Sequence, residues 1–325
     1  MEKIAVIIPA FNAEKTLGKC IDSVKMQSYT NWEIFVINDG STDNTKELLD
    51  VYCASDNRIH AINIPNRGVF QARKHGIDAA KTCDWLIFID SDDHLLEKEL
   101  FITCINELEK EHADCICFNY IINNRKGFDI NQKFIIDSKQ EAVKNLLNHR
   151  LIDGNMPYAL YKYSIVSEHF KVLNYNNDDY INKYHILINS KRIIIYPIAG
   201  YFYYSNPNSQ THRDIQQRDV LYYKHVNKFT KYIENEYPHL KEECEYFRYW
   251  VLLWIATQLS KKSIFKDYKM YPFIMYLIKK NKNVYRMNKY FTKRNRLDFE
   301  LINFHLFLPL YTIFSKIKTL QRKIK

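Results

Sequence analysis

Over its first ninety residues the chain alternates short, mostly apolar runs with longer segments whose apolar residues recur every three or four positions. The runs Ile4–Ile8 and Leu86–Ile89 read as strands buried on both faces, and Trp32–Ile37 and Ile59–Ile64 as two further strands. Between them, Glu14–Gln27, Thr45–Tyr52 and Phe70–Ala80 carry helical spacing, and in the first of these Leu17, Cys20, Ile21 and Val24 form a core-facing stripe. Ser41, Thr42 and Asp43 each suit the N-cap of the second. Strand and helix alternating through short connections predict an α/β fold, with a mostly parallel sheet flanked by helices on both faces. In such sheets the ligand site lies beyond the carboxyl ends of the strands. Pro9, Asp39, Asn66 and Asp90 all fall at those ends.

The pattern continues with a helix over Glu97–His112, a strand over Ala113–Ile122 and a polar turn over Asn123–Asn131. Lys133–Ile136 is expected to return as a hairpin, followed by a helix over Ser138–Asn148. Met156–Lys162 and Tyr175–Tyr180 read as aromatic loops, and Ile193–Pro197 and Tyr201–Tyr204 as two short strands. From about Gln217 onward the chain is helical and dense in Tyr, Phe and Lys. Two domains are expected, residues 1–215 and residues 216–325.

A chain of 325 residues with 46% apolar positions buries a full core. Seven cysteines, at 20, 53, 83, 104, 115, 117 and 244, show no Cys-x-x-Cys spacing, which argues for free thiols and a cytoplasmic setting. The N-terminus enters its first strand at once, so no secretory signal is expected, and no apolar run reaches the length of a membrane span. Charge is unevenly placed: residues 221–325 hold 22 Lys and Arg against 8 Asp and Glu, a balance of +14, leaving 25 against 29, or −4, over the first 220. The apolar stretch Leu301–Phe314 followed by the basic Lys316–Lys325 suits a helix lying on an anionic membrane surface. A homo-oligomer contact or an anionic glycan are its rival partners.

Candidate chemistry concentrates in Asp90-Ser91-Asp92-Asp93, three carboxylates in four residues where a buried strand must surface. Acids packed this closely repel one another and resist desolvation, so a divalent cation with hard oxygen preferences is their simplest partner. A hydrated turn of helix-capping acids is the plainer alternative.

Four motifs in order carry a resemblance to the family 2 glycosyltransferases, covering about residues 3–212. Val6-Ile-Ile-Pro-Ala-Phe-Asn12 is similar to that family's opening strand and nucleotide loop, and Asn38-Asp-Gly-Ser-Thr-Asp43 to its next signature, with Asn38 where an acid usually stands. Asn66-Arg-Gly-Val-Phe-Gln-Ala-Arg73 resembles Asn-x-Gly-x-x-x-Ala-Arg, and Asp90-Ser-Asp-Asp93 the metal-binding Asp-x-Asp. The resemblance implies the GT-A fold, a Rossmann-like sheet, with a catalytic domain that binds a nucleotide-sugar donor, most readily UDP-linked.

Residue by residue, it implies that Asp39 selects the base, with Pro9, Ala10, Phe11 and Asn12 lining it. Turn formation or capping is the other reading of Asp39. Asn66 and Gly68 would let backbone approach the donor, and Arg73 would meet either a phosphate or a carboxylate. Asp90 and Ser91 would contact ribose or metal-bound water, while Asp92, with Asp90 and His212, would hold Mn²⁺ or Mg²⁺ on the diphosphate. Asp93 would support or cap. Asp179, in Asn177-Asp-Asp-Tyr180, matches the base that takes the proton of the attacking hydroxyl, with Asp178 in place of the usual Glu. Tyr158 stands where an aromatic faces the acceptor, or simply packs. The acceptor implied is a surface glycan or a lipid-linked precursor, reached from the cytoplasmic face of the membrane.

Two other functions compete. A nucleotidyltransferase also joins an α/β sheet to acidic metal ligands, but it needs a Gly-rich basic loop after the first strand, which Pro9–Asn12 lacks. A catalytically inactive glycan-binding or scaffold protein would keep the fold without needing Asp179. Nucleic acid is suggested by charge alone and by no recognition motif.

Overall fold

The structure, a computed structural model, describes residues 1–172, 179–204, 217–260, 271–280 and 282–303. The chain divides into two compact units, Met1–Ser209 and Gln210–Lys325.

The first unit is built on a mixed sheet of ten strands among the described residues. Its leading half follows the expected alternation: β1 (Ile4–Ala10), α1 (Leu17–Lys25), β2 (Trp32–Asp39), α2 (Thr45–Ser55), β3 (Ile59–Ile64), α3 (Val69–Ala79) and β4 (Trp85–Phe88). These four strands run parallel in the order β3-β2-β1-β4. Strand β1 shows why the apolar runs carry no polar alternation. Ile4, Val6 and Ile8 face one side with Leu17, Ile21 and Val24 of α1, while Ala5 faces the other with Ala72 of α3. Helices on both faces leave no position for a polar side chain.

The trailing half adds β5 (His94–Leu95), α4 (Leu100–Glu111), β6 (Cys115–Ile122), β7 (Arg125–Lys126), β8 (Phe134–Ile136), α5 (Lys139–Leu147), β9 (Ala159–Lys162), α6 (Tyr163–His169), α7 (Asp179–Asn189) and β10 (Ile193–Tyr203). The sheet continues from β4 as β9-β6-β10-β5. Three details differ from the sequence reading. Residues 159–162, read as loop, form a strand antiparallel to both of its neighbours, with Leu160 opposite Ile87 on one side and Ile116 on the other. A four-residue segment behind Pro157 has no periodicity to read, and pairing on both edges makes it a strand. Phe134–Ile136 pairs with β10 rather than folding back on β6, whose hairpin partner is the shorter β7. The two strands expected at 193–197 and 201–204 are one, β10, with register shifts between Tyr196 and Tyr201. Pro197, which has no N–H for the ladder, sits inside that irregular stretch.

The second unit is helical where it is described: α8 (Gln217–Glu236), α9 (Lys241–Ser260), α10 (Tyr271–Lys280), α11 (Lys282–Met287) and α12 (Lys293–Asn303). Arg248 of α9 ties back to Glu234 and Thr230 of α8, and Tyr285 stacks on Phe299 at 4.3 Å. No helix among the described residues is long and apolar enough to cross a membrane. The basic tail, Lys316–Lys325, lies outside the described residues.

The close approach of α3 to β1 sets a measurable limit. A Cβ on Gly76 would stand 2.4 Å from the Ile7 Cγ2, inside a fully buried contact. Gly76→Ala is therefore expected to destabilise the fold by about 1–3 kcal/mol through overpacking. In urea unfolding, the same change in an Ile7→Ala background should lose less than the sum of the two single variants.

Candidate active site

The site grows from the carboxyl ends of β1, β2 and β4 and the first turns of α3 and α7. Strand β1 lies between β2 and β4, so Asp39 and Asp90 leave the sheet on either side of it.

The loops after β1 and β2 are stitched into one rim. The Asn12 amide donates to the Ser41 Oγ at 3.0 Å, and the Thr42 amide donates to the Asn12 Oδ1 at 2.8 Å. Asn12 reaches this arrangement with φ of 50°, a conformation asparagine tolerates better than most residues. The Ala13 amide donates to the Thr45 Oγ1, and the Glu14 amide to the Asp43 Oδ2. Pro9 and Ala10 are buried beneath this rim, whereas Phe11 is 49% exposed on it. An apolar ring held open on a rigid loop is a surface on which a planar base can stack. Asn38, the departure from the acid pair, joins β2 to β3 by donating to the Asn63 Oδ1 at 2.8 Å.

Asp39 faces the start of α3. Its Oδ1 accepts the Arg67 amide at 2.7 Å and its Oδ2 the Gly68 amide at 2.8 Å. Gly68 takes φ of 89°, where L side chains are strained, and Gly40 (φ 71°) has no room for a Cβ, which would lie 2.7 Å from the Asn66 amide nitrogen. The two glycines thus let the Asn66–Gly68 segment lie against the end of β2. Asp39 fixes that segment, and each of its oxygens keeps a second lone pair.

One turn further along α3, Arg73 is 3% exposed and joins two carboxylates from distant parts of the chain. Its Nη2 donates to the Asp90 Oδ1 at 2.9 Å and its Nη1 to the Asp179 Oδ1 at 2.6 Å. Its Nε has no hydrogen-bond partner among the described residues, and the guanidinium lies near the rings of Phe70 and Phe88. Burial alone would lower the pKa of Arg73, but Asp179 and Asp90 outweigh that and raise it. Asp179 itself lies in the first turn of α7, not in a loop. Burial pushes its carboxyl above the usual range, Arg73 pulls it back, and Asp90 adds to the rise. The Oδ2 of Asp179 meets the Met156 amide only at 3.4 Å.

Asp90–Asp93 is a tight turn closed by the Asp93 amide donating to the Asp90 carbonyl at 2.9 Å, which puts Ser91 and Asp92 at its apex. The three acids have different surroundings. Asp90 is held by Arg73. Asp93, 2% exposed, accepts the Tyr201 hydroxyl at 2.7 Å and the Tyr204 amide at 2.7 Å. Burial, then Asp90, pushes it up to about 8 against those two donors. Asp92 has no ion-pair partner and no hydrogen bond from another described residue, and burial followed by Asp90 raises it to about 6.

A cation fits this set in one way. Among the described residues no group of three or more His, Cys, Asp or Glu forms a metal cage. Mg²⁺ and Mn²⁺ in phosphate sites need none, because one or two carboxylates suffice when phosphate oxygens and water complete the shell. Asp92, uncommitted at the apex of the turn and costly to ionise without a partner, suits that role, with the outer oxygen of Asp90 beside it.

The site thus gathers Asp39, Asn66, Gly68, Arg73, Asp90, Ser91, Asp92 and Asp179 at one end of the sheet. Asp178 and His212 lie outside the described residues. Tyr158, 4% exposed and with φ of 74°, stacks on Tyr120 at 4.2 Å and meets Tyr201 edge-on at 4.8 Å, a packing position. Tyr201 escapes the sequence reading. It is one of 25 tyrosines, and no spacing marks it.

A family model described as glycosyl transferase family 2 matches residues 5–170. An uncharacterized glycosyltransferase of Haemophilus influenzae is 32% identical over 204 residues, 60% of this chain and 76% of that protein. Glycosyltransferase GlyG of Streptococcus pneumoniae is 32% identical over 146 residues, 45% of this chain and 47% of the relative. The chain spans about half the length of GlyG and 17% of GlyA from the same organism. Among solved structures, Staphylococcus aureus TarS 1–349 in complex with UDP superposes with a TM-score of 0.63 at 16% identity, covering 97% of this chain and 91% of that one. A mannosyltransferase from Pyrobaculum calidifontis, in complex with GDP-Man and Mn²⁺, gives 0.53 at 12% identity over 96% and 87%. These likenesses show the fold, the GT-A arrangement.

The shared guanidinium makes a stability prediction. Arg73→Met leaves Asp179 buried without its cation, and a loss of about 3 kcal/mol is expected, the low end for breaking a buried pair because Asp90 is 36% open to water. Denaturant unfolding should show that the loss shrinks in an Asp179→Asn background, which no longer carries the stranded charge.

Proposed function

Because this chain belongs to glycosyl transferase family 2, we propose that it moves a sugar from a nucleoside diphosphate, most readily UDP, to a hydroxyl of a surface glycan or a lipid-linked glycan precursor, with inversion. The observation that carries the proposal is the convergence of Asp90 and Asp179, 89 residues apart, on one buried guanidinium beside the unpaired Asp92.

In this reading Phe11 and the rim around Pro9, Ala10 and Asn12 hold the base, and Asp39 reads it through the lone pairs left on its carboxylate. A UDP preference is supported by TarS, which has this fold and is described in complex with UDP and with UDP-GlcNAc. Gly68 and Asn66 border the donor. Asp92, with Asp90, holds Mn²⁺ or Mg²⁺, and the bound ion supplies Lewis-acid stabilisation for the departing diphosphate. His212 is a further candidate for that shell.

Asp179 takes the proton of the acceptor hydroxyl. Its Oδ1 is engaged by Arg73, so the proton goes to Oδ2. Burial raises its affinity for that proton, in the direction a general base at neutral pH requires, while Arg73 keeps it ionised before the acceptor arrives. Residues 1–215 form the catalytic domain. Residues 216–325, with their charge of basic sign, offer contacts to an anionic membrane surface, the acceptor or a second copy of the chain. A cytoplasmic enzyme held at the inner face of the membrane meets both donor and lipid-linked acceptor.

The test is a screen of UDP- and GDP-sugars for slow Mn²⁺-dependent hydrolysis by the full chain. UDP release is expected, and Asp92→Ala should abolish its Mn²⁺ dependence. With an acceptor in hand, Asp179→Asn should lower transfer by about 10²–10⁴-fold while leaving UDP binding intact. Hydrolysis that Asp92→Ala leaves unchanged would remove the cation assignment.

A further inference from the structure

Both ends of the Asp90–Asp93 turn meet a single hydroxyl. The Tyr201 oxygen accepts the Asp90 amide at 3.1 Å, and its proton goes to the Asp93 Oδ2 at 2.7 Å. The other oxygen of Asp93 accepts the Tyr204 amide at 2.7 Å, so three bonds connect the turn to the end of β10. Tyr201 is fully buried, and its ring is braced edge-on by Tyr158, which is itself stacked on Tyr120. The hydroxyl is therefore held in place from behind, with its donor and one acceptor site both used on the turn.

We propose that Tyr201 is a positioning residue: by gripping Asp90 and Asp93 it fixes the turn apex, and so sets where the Asp92 carboxylate meets the cation and diphosphate of the donor. This rests on the donor reading above. The other restraints on the turn all fall on its ends: the Asp93 amide on the Asp90 carbonyl, the Cys20 thiol on that same carbonyl, and Arg73 on the Asp90 carboxylate. Ser91 and Asp92 lie between the two anchored ends, and Asp92 has no hydrogen bond from another described residue to hold it. Tyr201→Phe removes the donor and the acceptor at once and leaves the ring to fill its space. The Asp90 amide loses its partner, the Asp93 carboxylate keeps only the Tyr204 amide, and the apex, still closed by the Asp93 amide on the Asp90 carbonyl, is held less tightly.

The experiment uses the full-length chain. Mn²⁺ binding in the presence of UDP is followed by electron paramagnetic resonance, and UDP binding by calorimetry with Mn²⁺ and with EDTA. Tyr201→Phe is expected to weaken Mn²⁺ binding by about 10- to 100-fold, the range for losing a supporting hydrogen bond behind a metal ligand, while UDP affinity in EDTA stays at the wild-type value. Asp93→Asn, which keeps the volume but cannot accept both donors, should shift the same quantity in the same direction. Wild-type Mn²⁺ affinity in both variants, whatever their unfolding temperature, overturns the proposal. So does an equal loss of UDP affinity with and without Mn²⁺, the mark of a general structural defect. A wild-type chain that binds UDP under neither condition overturns the donor reading, and this inference with it.

Discussion

A guanidinium buried between two carboxylates is the constraint around which the first unit closes. Taking Arg73 out of water is costly, and Asp179 and Asp90 offset that cost only if α3, the end of β4 and the start of α7 meet at one point. Pairs of this kind contribute little net stability against an apolar substitute of the same shape. What they enforce is geometry. Helix α3 is pinned at Gly68, just before its first residue, by Asp39 and about one turn later by Arg73, so its register against β1, where Gly76 lets it approach Ile7, follows from polar contacts as much as from packing.

The same balance explains why five acids can crowd one rim. Asp39 accepts two backbone amides, Asp90 and Asp179 share the one guanidinium of Arg73, and Asp93 accepts a tyrosine hydroxyl and an amide. One carboxylate, Asp92, is left over. In the proposed function that leftover carboxylate is the one that meets the cation. The acids are thus not equivalent, although they stand almost side by side in the sequence.

Much of this was legible in the residues themselves. Ile4–Ile8 and Leu86–Ile89 announce doubly buried strands because helices cover both faces, and ligand-bearing loops at strand ends follow from that topology. Ala159–Lys162 was not legible, since four residues set no period and pairing with β4 and β6 is decided by partners far away in sequence. Arg73 read equally as a phosphate ligand or as one member of an ion pair, and only coordinates show that it has two carboxylate partners. The segment Tyr175–Tyr180 read as loop, yet Asp179 lies in the first turn of a helix, where a carboxylate also sits favourably. Tyr201 carried no signal at all, for a hydroxyl that matters through two hydrogen bonds looks like any other aromatic in a chain rich in them.

Strand β9 carries a consequence for synthesis. Strands β1 to β4 can assemble as they leave the ribosome, but the outer edge of β4 must wait more than seventy residues, from Phe88 to Ala159, for its neighbour. Until then a finished parallel half presents a bare, apolar flank to every other nascent chain nearby. The late arrival of those four residues is the step that seals the two halves into one sheet.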